Sequence, residues 1–138
     1  PWFIINKDPR NAKIIKAARE INIYKSEWVI EKIISAALDF EKINGKKPTI
    51  GCFGLAFKPD IDDLRESPSV NITKALIDKK FEVLVVEPNI ENSKDFKLVS
   101  TQEAINKSDI FVMLVAHKEF KNLNIKTDLD FCGVLKIS

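Results

Sequence analysis

The sequence predicts an α/β fold, a long N-terminal helix followed by a small parallel sheet with helices on both faces. Three observations lead there. Residues 10–44 hold neither proline nor glycine and carry apolar residues at helical spacing. Beyond Lys47 the pattern changes to short β-rich runs that alternate with helical ones. Two of those runs, "FEVLVVEP" and "DIFVMLV", are almost continuously apolar, as strands covered on both faces are.

In the first segment Ile14, Ala17, Ile21, Tyr24 and Trp28 fall at alternating spacings of three and four, and Ile30, Ile33, Ala37 and Phe40 continue the pattern after a shift of face near "YKSEW". An unbroken helix of about 35 residues would span ~50 Å, more than the ~30 Å of a small domain. It would need a second partner, a twin subunit or a further domain. Two ordinary helices with a bend near Lys25 and Ser26 are the alternative. "PTIGCFGLAF" reads as a strand ending in glycine, and "SPSVNITKALIDKK" as a helix with Ser67 at its N-cap and Pro68 as its first residue. "TQEAINKS" is a short helix between the two apolar strands, and "GVLKIS" a final strand. The order is βαβαβ, which predicts a Rossmann-like sheet with ligands at the carboxyl ends of its strands. Residues 1–46 then form the helical region and residues 47–138 the sheet domain. The chain opens without Met on the strand-like run "PWFII" and closes on apolar residues, so it reads as a fragment.

Composition narrows the function classes. Apolar residues make up 45% and charged residues 30%, which excludes disordered and low-complexity classes. The 22 basic and 20 acidic residues are mixed along the chain, and a net charge of +2 gives no field that calls for nucleic acid. No apolar run approaches the ~18 residues that span a bilayer, so no membrane partner is expected. Cys52 and Cys132 lack the spacing of a metal site or a disulfide framework, and a reducing, cytoplasmic setting follows. Cys52 reads as an inert strand residue, while Cys132 lies next to Gly133 at a strand edge.

The informative stretch is "GLAFKPDIDDLRESPS", residues 54–69, at the carboxyl end of the first strand. Connections of this kind more often have about two to six residues, and long ones tend to be functional. Lys58 is a point cation suited to phosphate, Arg65 a planar fork suited to bidentate oxygen recognition, and Phe57 a surface for stacking on a base. The same residues also fit a purely internal role, with Phe57 in the core, Lys58 solvated and Arg65 bracing Asp62, Asp63 or Glu66. Asp60, Asp62 and Asp63 lack the ligand spacing and glycine of a calcium loop, so capping and bracing explain them better than a metal. "GCFGLA" is not a G-x-G-x-x-G fingerprint. Glu87, at the end of the second strand, "FEVLVVEP", suits either a ribose hydroxyl or a turn, and His117, the single histidine, suits a helix start better than a catalytic base.

"GLAFKPDIDDLRESPS", together with "LVVEPNI", "VMLVAH" and the helix "KAAREIN", resembles the carboxyl-terminal part of the UDP-glucose/GDP-mannose dehydrogenase family. The likeness covers nearly the whole chain. It implies a dimerisation helix at residues 1–46, a UDP-sugar-binding Rossmann-like domain at residues 47–138, and a separate NAD-binding domain before them. It further implies that the whole enzyme oxidises a sugar C6 alcohol to a carboxylate with two NAD in turn, through a thioester on a cysteine in a G-G-x-C segment upstream of Pro1. No catalytic residue would then lie in this chain, which alone would be inactive. By the same likeness Phe57 and Lys58 are substrate contacts and Arg65 reaches the NAD. Cys132 takes the substrate-facing place where many relatives carry a basic residue, with Lys136 the nearest basic alternative. Two other readings stand beside this one: an assembly module without nucleotide binding, and a receiver-like regulator, which lacks a separate strand-end aspartate site.

Overall fold

The computed structural model describes residues 2–127 and 129–135. Two helices come first, α1 (Trp2–Lys7) and α2 (Lys13–Asn44). The strands β1 (Thr49–Phe53), β2 (Glu82–Val86) and β3 (Ile110–Met113) follow, with α3 (Pro68–Asp78) and α4 (Thr101–Lys107) as the crossovers. A single 3-10 turn spans Lys118–Phe120. The sheet order is β2-β1-β3 with both pairings parallel, and Cys52 stands opposite Val85 on one side and Val112 on the other. The predicted α/β fold is therefore the observed one.

The pleat sorts the residues of β1 into two cores. Ile50 and Cys52 point toward Val29, Ile33 and Ala37 of α2 and Ile72 and Leu76 of α3. Phe53 points the other way, toward Ala104 of α4 and Phe120. Two helical layers thus enclose the sheet, which explains why its strands are apolar along their length.

Helix α2 is unbroken through Lys25 and Ser26, so the two-helix alternative fails. The shift of face has a packing cause. Its second half buries Val29, Ile33 and Ala37 on the sheet, whereas in its first half Ile14 is 86% and Tyr24 66% exposed. Gly45 ends it in the left-handed conformation, φ 71°, with its N–H donating to the Glu41 carbonyl.

Three expectations need correction. Trp2–Lys7 is helical rather than strand-like, because a short apolar run is ambiguous in period and here Ile5 is buried in a turn packed on α2. Residues 133–135 form no strand. The chain instead rejoins β3 earlier, where Met113 N–H donates to Leu129 O and Phe131 N–H to Met113 O. Asp130 then accepts the N–H groups of Gly133, Val134 and Leu135 and turns the chain away. The rest of that expected strand, with Lys136, lies outside the described residues. Finally, Ser67 holds the N-cap position of α3 in an extended conformation, but its hydroxyl donates to Leu55 O at 2.6 Å and does not cap the helix. Pro68 is the first helical residue, as expected.

Gly54 is where the long loop leaves the sheet, at φ 101°. A Cβ there would lie 2.6 Å from Val115 Cβ and 2.8 Å from Val115 N. Gly54→Ala is expected to cost on the order of 2–4 kcal/mol, combining backbone strain with a clash against main chain. Gly45→Ala, where a Cβ meets nothing within 4 Å, should cost about 1–2 kcal/mol from its conformation alone. Urea unfolding of both variants measures the difference, and equal costs would contradict the close approach at Gly54.

Candidate functional site

The loop 54–67 is held at several points along its length. Gly54 N–H donates to Val86 O, and the next two N–H groups, of Leu55 and Ala56, donate to Glu87 Oε2 at 2.7 and 3.0 Å. Phe57 N–H donates to Asp63 O at 2.8 Å, which closes the loop on itself. Asp60, at φ 61°, donates its N–H to His117 Nδ1 at 2.9 Å and accepts Lys118 N–H on Oδ1 at 2.8 Å.

Glu87 and His117 form the buried centre of this arrangement, both side chains fully shielded from solvent, with His117 Nε2 2.9 Å from Glu87 Oε2. Because Nδ1 faces the N–H of Asp60, it is the acceptor, and the ring hydrogen sits on Nε2 and goes to Glu87. Asn89 adds its N–H to Glu87 Oε1 and its side-chain amide to His117 Nδ1. Glu87 does begin the turn after β2, with Ile90 N–H donating to its carbonyl at 3.4 Å, and its carboxylate is in addition an internal acceptor for the loop of a neighbouring strand. His117 does begin the 3-10 turn, and its ring does more than begin it. The ligand atoms of Asp60, His117 and Glu119 lie within 4.8 Å of one another. The histidine's share of that cluster is already engaged by the Asp60 N–H.

At the carboxyl ends of β1 and β3 lies an open cleft of about 310 Å³, within the size range of small-ligand sites. Ala56, Phe57 and Pro59 line it from the loop, Val115 and Ala116 from the end of β3, Ser69 from the start of α3, and Lys25 and Ser26 from α2. Phe131 and Cys132 complete it. Phe57 and Cys132 therefore meet in one cavity. Lys58 is exposed and is not among the lining residues, and its Nζ stands 5.8 Å from the Phe57 ring centre. Phe57, half exposed, also borders a second hollow with Asp63, Arg65 and Glu66.

Arg65 takes the internal posture that its sequence left open. Its Nε and Nη2 form a bidentate pair with Asp63 at 3.0 and 2.9 Å, and its side chain stays 89% exposed. That pairing, with the Arg65 N–H, holds the Asp63 carboxyl down to about 2. The brace therefore persists to strongly acidic pH while the outer edge of the guanidinium remains open.

Burial, reinforced by the Asp130 carboxylate, pushes the Cys132 thiol up to about 12, and its Sγ–H donates to Asp130 Oδ1 at 3.4 Å. Burial alone would raise Asp130, but the N–H groups of Leu135 and Val134 and the Cys132 thiol reverse this and leave it below the usual range. Cys132 thus offers the cleft a neutral, polarisable wall where the resemblance implied a cation in many relatives. Cys52 is likewise pushed up to about 12 by burial, partly offset by the hydroxyl of Thr73.

Several cleft residues were missed from sequence. Lys25 and Ser26 belong to a helix face that only tertiary packing brings to the sheet edge. Val115 and Ala116 had a usable signal, since they follow the third apolar strand at its ligand end.

Residues 51–132 match the model of the UDP-glucose/GDP-mannose dehydrogenase family, UDP binding domain. With its parallel sheet and strand-end cleft, the chain belongs to that family, and residues 51–132 correspond to its UDP-binding domain. It is similar to the UDP-N-acetyl-D-mannosamine dehydrogenase of Campylobacter jejuni, 44% identical over 96% of this chain and 33% of the relative. It is also similar to the NDP-N-acetyl-D-galactosaminuronic acid dehydrogenase of Ralstonia solanacearum, 40% identical over 90% of this chain and 29% of the relative. Among solved structures, the UDP-N-acetyl-mannosamine dehydrogenase Cap5O from S. aureus superposes with a TM-score of 0.71 at 35% identity, over 89% of this chain and 28% of that one. The chain thus spans about a third of the length of the curated relatives it matches. These relatives are sugar-nucleotide dehydrogenases, and no described helix here is long and apolar enough to cross a membrane.

The cysteines supply a direct check. With folded-state values near 12 against 9.0 for an ordinary thiol, both stay protonated where a free thiol ionises. Labelling of the native chain by a disulfide reagent at pH 8 should be much slower than of the urea-unfolded chain and should still accelerate above pH 9. Because unfolding frees groups that lose protons near 9, stability should fall as pH rises from there toward 12. Rapid native labelling of Cys132 at neutral pH would contradict this placement.

Proposed function

We propose that this chain is the substrate-binding and dimerisation part of an NAD-dependent UDP-sugar 6-dehydrogenase that converts UDP-N-acetylmannosamine to UDP-N-acetylmannosaminuronate. In this reading residues 47–138 hold the nucleotide-sugar and residues 1–46 build a homodimer. The observation that carries it is the cleft in which Phe57 and Cys132 meet beside the start of α3, in a chain whose residues 51–132 match a UDP-binding domain. Phe57 offers an aromatic face to a base or sugar, and Lys58, next along the loop, offers a charge to phosphate. The first-turn N–H groups of α3, near Ser69, add partial positive charge at the cleft wall. Cys132 contributes van der Waals contact and its backbone in place of a cation. The names of the C. jejuni and S. aureus relatives favour the mannosamine epimer.

NAD would supply the hydride acceptor from a domain outside this chain. Arg65 fits a contact to it, because its Asp63 brace orients the guanidinium while 89% of the side chain stays open. The nucleophilic cysteine would also lie outside the chain, since Cys52 is buried in β1 and Cys132 is tied to Asp130. A whole enzyme of this kind would work in the cytoplasm, where NAD and UDP-sugars are at hand.

Calorimetric titration with UDP should give saturable binding, weakened by about tenfold or more in Lys58→Ala, the loss of one charge-assisted hydrogen bond. Absence of saturable binding at millimolar UDP would overturn the nucleotide role.

The exposed residues Ile14, Ile21 and Tyr24 of α2 favour assembly as a second task. Light scattering should show a dimer that Ile21→Asp converts to monomer. A dimer indifferent to UDP would favour the assembly module alone, and a monomer that binds UDP would remove the dimerisation role from residues 1–46.

A further inference from the structure

The geometry points to Glu87 and His117 as positioning residues that set nucleotide affinity by clamping the Phe57–Pro59 segment between two fixed N–H groups. The inference rests on the UDP-binding reading above. Its substance is where the anchors fall. Glu87 Oε2 takes the N–H of Ala56, the residue just before Phe57, and His117 Nδ1 takes the N–H of Asp60, the residue just after Pro59. The three residues between, Phe57, Lys58 and Pro59, are all exposed. They include the aromatic and the cation assigned to the ligand. Neither anchor lines the cleft.

The two anchors are rigidly related to each other, because Glu87 and His117 share a 2.9 Å hydrogen bond and neither side chain reaches solvent. Glu87 is fixed at the end of β2 and His117 follows the end of β3, so strands on both sides of β1 set the distance between the two ends of the segment. The clamp is doubled at its outer end, where Lys118 N–H donates back to Asp60 Oδ1 at 2.8 Å. A segment held this way loses less conformational freedom when a ligand binds, and that saving appears as affinity. The acceptor at Nδ1 is therefore a functional requirement distinct from the donor at Nε2.

Substitution at residue 117 separates the two bonds. An Asn amide sits near the position of Nδ1 and can accept from Asp60 N–H, whereas a Gln amide sits near Nε2 and can donate to Glu87 only. UDP titration and amide hydrogen exchange at Asp60 should be measured on wild type, His117→Asn and His117→Gln. The expected result is affinity within about threefold of wild type for Asn, about tenfold weaker for Gln, and Asp60 exchange at least tenfold faster in Gln alone. Should the Gln variant fail to unfold cooperatively, Asp60→Gly replaces it. Glycine accepts the φ of 61° while deleting the outer carboxylate. It should bind UDP several-fold more weakly with its melting temperature preserved.

Unchanged affinity in His117→Gln or in Asp60→Gly, with folding intact, overturns the clamp. So do equal losses in the Asn and Gln variants with Asp60 exchange unaltered, since that pattern belongs to general destabilisation. If wild type binds no UDP, the nucleotide reading falls and takes the affinity role with it. Asp60 exchange then reports separately whether the anchor exists.

Discussion

The ligand edge of this molecule is organised by one buried contact, the hydrogen bond from His117 Nε2 to Glu87 Oε2. Around it, four N–H groups converge on the two carboxylate oxygens, from Leu55, Ala56, Asn89 and the imidazole itself. Buried polar groups destabilise a fold unless their hydrogen bonds are made, and here they are made by the loops that follow the three strands. Residues 55 and 56 are held by the Glu87 carboxylate and Asp60 by the other ring nitrogen of His117, so the path of the loop depends on the two side chains together.

From that fixed base the loop divides its surface. One side of Phe57 borders the cleft with Cys132 and the start of α3, and the other borders the hollow of Asp63, Arg65 and Glu66. The Arg65–Asp63 pair is an exposed contact and adds little to stability. Its value is geometric, since a bidentate brace fixes the orientation of a guanidinium that stays exposed. Under the proposed function this single loop would serve two ligands, one in the cleft of this chain and one presented from outside it.

Much of the fold was legible because periodicity reports burial directly. The apolar runs of β2 and β3 follow from two covered faces, and Gly45 and Pro68 mark helix ends for conformational reasons any context preserves. What was not legible depends on distant partners. Trp2–Lys7 is too short a run for its period to decide between helix and strand. Ser67 turned its hydroxyl to Leu55 because the loop needed closing more than α3 needed a side-chain cap. Within the site, Phe57, Lys58 and Arg65 stood out by residue type and position. Glu87 and His117 did not, because an acid and a histidine widely separated in sequence reveal nothing of their pairing until the parallel crossovers align the ends of β2 and β3. Lys25 entered the cleft through the packing of α2 on the sheet, which no local pattern encodes.

The most direct measurement of the central claim is the map of backbone amide shifts in an NMR titration of this chain with UDP. The largest changes are expected at Ala56–Lys58, at Ser69 and Val70 at the start of α3, at Val115 and Ala116, and at Cys132. Changes confined to a separate hollow lined by Pro88, Ile90 and Thr101, or spread along α2 without touching Phe57, would contradict it.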